Sequence, residues 1–284
     1  MFLSRLALAA LLALGSPAAA QTTVEPAVPA AVIADLGEVL QLAALFEVLR
    51  QEGLAYGAEL ETDMFPSGGG QGWDKAISDI YNVARLRAGF DRALEAGLAA
   101  HPDAIAEITA FFASDLGSRI LTLEIEARRA FLDEASEDAA RVAADRRRAG
   151  RDPRARQIER FIAASDLLEQ NVAGALTGNL AFMQGMNETG IYGTTLPQDE
   201  VMAQVWGQEA QIRSDTESWL HAYLGLAYAP LTEVELDAYI AFWETPAGKR
   251  LNSALFAAFD EVFFTGVSED LGRAAGQAMQ GQDI

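Results

Sequence analysis

The chain contains no cysteine, only two lysines (Lys75 and Lys249) and only two histidines (His101 and His221). Each shortage excludes something. Without cysteine there are no disulfides, no thiol chemistry, no thiolate metal site and no lipid-anchor cysteine. The two histidines have no i, i+4 partner and no nearby Glu-x-x-His, so they do not form a histidine metal site. They are expected to be capping or surface residues. The long Val/Ile/Thr alternations of strands are also missing, which points to an all-α protein. No Gly-x-Ser-x-Gly elbow occurs, and Ser114, Ser118 and Ser165 have no base placed by spacing. Basic residues are scarce: 21 Lys and Arg stand against 41 Asp and Glu, a formal net charge of −20. Such acidity repels nucleic acid and anionic lipid, so neither is an expected partner.

Residues 1–20 have the layout of a secretory signal. Arg5 gives a positive start, Leu6–Leu14 an apolar core, and Ala18-Ala19-Ala20 a small-residue cleavage site. The apolar core is shorter than the roughly 20 residues a membrane-spanning helix needs. The expectation is a cleaved, soluble protein of the bacterial periplasm with no later membrane span. Residues 21–31, with Pro26 and Pro29, read as a leader.

Apolar periodicity then carries helices along the rest of the chain. Val32–Gly53 reads as one helix and Leu54–Phe65 as a short second one. The run from Pro66 to Gly72 is a break, and Trp73–Leu98 is helical again. Pro102 opens a helix ending at Phe111-Phe112. The following helix, capped by Ser114, is expected to run from Leu116 towards Ala149. Eight arginines lie between Arg141 and Arg160, interrupted by Gly150 and Pro153. This run reads as a connection over 141–155. It could dock an anionic partner, or its arginines could balance the chain's own acids.

Two sharp helix corners organise the chain. In the second, Tyr239, Phe242 and Trp243 end one helix, Thr245 caps the next, and Pro246 sits at its first position, where a missing N–H costs nothing. The first has the same layout 131 residues earlier, with Phe111, Phe112, Gly117 and Arg119 answering Phe242, Trp243, Gly248 and Arg250. Elsewhere Leu167–Gln170 echoes Val48–Gln51, and Trp206 answers Trp73. The chain therefore reads as a duplicated multi-helix unit: two similar helical halves packed together, the first over 32–140 and the second over 156–284.

Candidate sites are few. A ligand or partner could engage the corners at Phe112, Trp243, Thr245, Gly248 and Lys249, the last beside a helix N-terminus that favours anions. The run Gly68–Gly72 could cradle a phosphate, but it lacks the Gly-Lys-Ser/Thr ending of a P-loop. The carboxylates Glu59, Glu61, Asp63, Glu124, Glu126, Glu233 and Glu235 could support acid–base work if buried. With so many acids in the chain, a solvated surface is the expectation for them. The tryptophans and phenylalanines either fill the core or line an apolar groove. No metal and no cofactor are expected.

The segment Phe242-Trp243-Glu244-Thr245-Pro246-Ala247-Gly248-Lys249 resembles the signature of the bacterial family called domain of unknown function 2059: an aromatic pair, Ser/Thr-Pro, a small residue, Gly, then a basic or polar residue. The earlier corner is similar but has Asp115 for Pro and Ser118 for the basic residue. The resemblance implies an exported, all-helical protein of Gram-negative envelopes, with no established activity to carry over. The resulting expectation is a non-enzymatic envelope protein that binds another protein or an apolar ligand. The alternatives are a carboxylate-using hydrolase and a self-associating structural protein.

Overall fold

The computed structural model describes residues 30–65, 68–193 and 197–281; the signal expected over 1–20 and nearly all of the leader expected over 21–31 lie outside them. Among the described residues the chain is helical throughout, with no strand. The first run of helices is α1 (Ala30–Val39), α2 (Leu42–Met64), α3 (Gly70–Ile80), α4 (Val83–Leu98), α5 (Pro102–Phe112), α6 (Asp115–Ala130) and α7 (Glu134–Ala149). The second is α8 (Pro153–Ala164), α9 (Leu167–Glu188), α10 (Gln198–Trp206), α11 (Glu209–Ala227), α12 (Glu233–Glu244), α13 (Pro246–Phe259) and α14 (Ser268–Gly281). A π-helical stretch, Asp260–Val267, joins α13 to α14. No described helix is long and apolar enough to cross a membrane.

Helix starts follow local chemistry. Side-chain oxygens of Asn82, Ser114, Asp133, Asp152, Thr232 and Thr245 each accept a backbone N–H from the first turn they precede. Thr232 and Glu235 complete a reciprocal capping box. Pro102, Pro153 and Pro246 occupy first turns.

Several expected boundaries move. The helix expected over Val32–Gly53 breaks earlier, at Gln41, whose φ of 53° is left-handed. Beyond it, α2 runs unbroken through Gly53 and Gly57. These glycines mark close packing of α3 rather than a helix end. A Cβ on Gly53 would sit 2.1 Å from the Tyr81 ring, and one on Gly57 2.6 Å from Ile77. The long helix expected from Leu116 divides at Phe131–Asp133, where Asp133 caps α7. The arginine-rich run is largely helical. It is the end of α7, a turn at Arg151 with φ 52°, and α8. Arg141, Arg148 and Arg160 pair with Glu137, Glu217 and Asp237, which fits the charge-balancing reading.

The two runs of helices interlock. α4 packs on α13, α11 packs on α6, and the closest pair is α9 with α14. That last pairing depends on absent side chains: a Cβ on Gly185 would lie 2.2 Å from the Glu269 carbonyl oxygen, and one on Gly272 2.0 Å from that of Phe182. One continuous apolar core extends from Ile33 to Ala275. Trp73, Trp219 and Trp243 are buried in it. Trp206 is 59% exposed, so it does not share the environment of Trp73.

Candidate functional site

At the first corner Ser114 Oγ accepts from Gly117 N at 3.1 Å and donates to the Phe111 carbonyl at 2.6 Å. At the second, Thr245 Oγ1 accepts from Gly248 N at 3.0 Å and donates to the Phe242 carbonyl at 2.7 Å. Gly117 and Gly248 are equivalent too: a Cβ on either would lie 2.2 Å from the carbonyl oxygen of Phe111 or Phe242. The corners face each other. Phe111 stacks on Phe242 with ring centroids 4.2 Å apart, and Phe112 meets Trp243 at 6.2 Å. Thr245 and Gly248 are thus occupied in building the corner, and Lys249 is exposed. Phe112 and Trp243 do more, because both line a partly open cavity.

That cavity has a volume of about 120 Å³. Its walls come from the α1–α2 and α8–α9 junctions and from α2, α5, α6, α8, α11, α12 and α13, and most are apolar or aromatic. Glu124 on α6 is the one acid among them. Its Oε1 accepts from Tyr228 Oη at 2.7 Å and Tyr239 Oη at 2.9 Å, and its backbone oxygen accepts from Tyr223 Oη at 3.0 Å. Burial raises the Glu124 carboxyl above its ordinary value, and the two tyrosine hydrogen bonds pull it partly back. The same burial, with the neighbouring carboxylate, raises all three tyrosines, so they stay protonated donors. The residue keeps some accessible surface although its carboxyl is desolvated, and it lines the cavity. Glu124 thus departs from the solvated surface expected for it. Glu59, Asp63, Glu126 and Glu233 are exposed as expected.

One helical turn further, Arg128 is buried against Glu52. Its Nε lies 2.7 Å from Glu52 Oε1, at an angle short of a hydrogen bond, and Nη2 donates to Oε2 at 2.9 Å. Burial pushes the Glu52 carboxyl up, and the guanidinium pulls it down again. Burial is the largest influence on Arg128 and opposes its charge, but Glu52 and Tyr223 together outweigh it and hold the guanidinium above its ordinary value.

Among the described residues, four buried side-chain polar atoms of the lining have no hydrogen-bond partner: Ser165 Oγ, Asn252 Nδ2, Trp243 Nε1 and Arg128 Nε, the last ion-paired with Glu52. The Trp243 N–H lies towards the Tyr239 hydroxyl, near enough to act on its titration, without reaching hydrogen-bond geometry. Buried donors without acceptors are uncommon because each costs about 1–3 kcal/mol.

The lining also comes in pairs. Leu40 and Ser165, and Leu42 and Leu167, precede and follow the left-handed residues Gln41 and Asp166, 125 positions apart. Phe112 and Trp243, Leu121 and Asn252, Glu124 and Leu255, and Arg128 and Phe259 are each 131 positions apart, the spacing of the two corners. At most of these pairs one member is polar and its counterpart apolar.

Other sequence candidates do not join this site. The backbone N–H of Gly69 is taken by Glu61 Oε1 at 2.7 Å, so the chain's own acid sits where a phosphate was considered. His221 is buried instead of at the surface, and desolvation lowers its pKa. His101 precedes α5 with its Nε2 2.5 Å from Arg250 Nη1. Among the described residues no group of His, Asp or Glu could hold a metal ion. Arg128, Tyr223, Tyr228, Tyr239 and Asn252 were missed by sequence reasoning. The available signal was the stripe Gly117, Ile120, Leu121, Glu124, Ile125, Arg128, where two charged residues fall on an apolar face.

No family model, curated protein or solved structure matches the chain.

Proposed function

We propose that this protein is a non-enzymatic binding protein of the bacterial envelope that holds a small, mainly apolar molecule in the cavity between its two helix corners. One observation carries the reading: a cavity of about 120 Å³ with apolar walls and buried hydrogen-bonding groups that the protein itself leaves unmet. Few, converging polar groups in an apolar enclosure are the usual make-up of a small-molecule site. Size limits the occupant. By comparison with a cavity of about 150 Å³ that takes benzene, the space suits a single six-membered ring or a short chain.

The export signal over residues 1–20 and the resemblance of Phe242–Lys249 to domain of unknown function 2059 support placing the protein in the periplasm. Descent from a duplicated seven-helix unit is part of the proposal. Its support is the order of the helices, the left-handed residues Gln41 and Asp166, and the matching bonds of the two corners. The hydrolase alternative needs two acids in one pocket. Glu124 is the only acid in the lining, and Glu52 is committed to Arg128, so binding is preferred.

The test is thermal unfolding of the mature chain with toluene, beside Leu255→Phe, which fills the cavity from α13. At ten times its Kd a ligand adds about 1.4 kcal/mol, or roughly 2–3 °C in Tm for a chain of this size. That rise is expected in the wild type and not in the variant. Equal Tm values with and without toluene in the wild type would remove the basis of the reading.

A further inference from the structure

We propose that the cavity reads a neutral hydrogen-bond acceptor, a ketone- or aldehyde-type carbonyl on a single ring, through Asn252 and Ser165 with Trp243 beside them. This rests on the binding reading above and names the ligand class for that same cavity.

The unmet groups define the head group. Asn252 Nδ2 and Trp243 Nε1 are donors and the Ser165 hydroxyl can donate; all three residues are at least nine-tenths buried, and all are in one lining. A ligand satisfies them by bringing an acceptor. An organic cation brings further donors and leaves the Asn252 and Trp243 N–H groups unmet. An anion brings acceptors but also a charge, and among the described residues the lining holds no unpaired cation to meet it. Arg128 is already matched by the Glu52 carboxylate, and Glu124 adds acid, not base. Burying an uncompensated charge costs far more than burying a dipole. A neutral carbonyl supplies the acceptor without the charge. Its ring would lie among Phe112, Phe161 and Phe259.

The paired lining argues that these polar residues do not serve folding. Asn252 has Leu121 at the corresponding position of the first corner's helix, and Ser165 has Leu40. An apolar side chain therefore fills each equivalent position of the same fold. A buried donor with no acceptor destabilises a protein. Replacing Asn252 and Ser165 by apolar residues should thus leave the fold intact or more stable, and remove only the reading of the head group.

The experiment titrates the mature chain by calorimetry at neutral pH with three probes of similar size: cyclohexanone, its apolar isostere methylenecyclohexane, and cyclopentanecarboxylate. The wild type is expected to bind cyclohexanone at least tenfold more tightly than either of the others. The double variant N252L/S165A is expected to keep its Tm, keep binding methylenecyclohexane and lose the preference for the ketone. Equal affinity for ketone and alkene in the wild type would overturn the carbonyl inference and leave the binding reading standing. Tighter binding of the carboxylate would replace the neutral head by an anionic one. Binding of none of the three would overturn both. A double variant that unfolds would refute the argument from the paired positions, and Ser165→Ala alone, which deletes one hydroxyl with little change of volume, would then decide the ketone preference.

Discussion

Replacing Arg128 by Met tests whether the ion pair beside the cavity is as buried and as coupled as its geometry indicates. Arg128 has 5% side-chain exposure and Glu52 18%, and two of their N···O contacts are within 2.9 Å. Methionine keeps most of the volume, so packing loss is small. What remains is a desolvated Glu52 carboxylate without its counter-charge. Removing one partner of such a pair costs about 3–5 kcal/mol. The loss depends on pH with a definite sign. Burial already raises the Glu52 carboxyl above its ordinary value of 4.5, and without Arg128 nothing pulls it back. A group raised in the folded state stabilises fully below its unfolded pKa, and that contribution is lost as pH rises through the folded pKa. The single variant should therefore be only mildly weakened at pH 4.5 and weakened by the full amount at pH 8. Adding Glu52→Gln should recover most of the stability at pH 8, because neither buried charge then remains. Urea unfolding of wild type, both single variants and the double variant at the two pH values gives the complete cycle. A double variant as unstable as R128M at pH 8 would refute the reasoning. The side-chain volumes, not the charges, would then be responsible.

Four further outcomes are expected. Glu124→Gln keeps an oxygen for Tyr228 and Tyr239 but cannot ionise. It should remove the loss of stability that the raised Glu124 carboxyl imposes as pH rises above 4.5, so the two proteins should diverge in Tm with increasing pH; parallel curves would mean the carboxyl is solvated. Gly272→Ala forces a methyl to within 2.0 Å of a backbone oxygen on α9, which cannot give way as a side chain would; a loss of at least about 2 kcal/mol in urea is expected, and a change below 0.5 kcal/mol would show that α14 is not so closely seated. Thr245→Ala removes the cap of α13 and should cost about 1 kcal/mol, matched by Ser114→Ala at the other corner. Calorimetric losses differing by more than twofold would argue against equivalent corners. Ala substitution at the exposed Trp206 should leave Tm within about 1 °C, because no core contact is lost there.

Much of the local structure could be read directly. Thr245-Pro246 and Ser114 announce helix starts, since a hydroxyl before a first turn and a proline within one act over three or four residues. The all-helical class follows from the apolar period and the shortage of strand formers. Phe112 and Trp243 were singled out because their corners repeat, and both line the cavity. Glycine was the local feature most easily misread. Gly53 is the place where another helix comes close, and nothing near it in the sequence reports the Tyr81 ring on the far side.

The candidate site itself was decided only in three dimensions. Glu124 is followed two residues later by Glu126, and both look like surface acids; Glu126 is exposed, while Glu124 meets Tyr228 and Tyr239 from helices more than 100 positions away. Ser165 and Asn252 are ordinary polar residues until the α8–α9 junction and α13 bring them to one cavity. Capping and periodicity are short-range and leave their mark on neighbouring residues. Desolvation depends on which helices pack together, and here α4 with α13 and α11 with α6 set it across the full length of the chain.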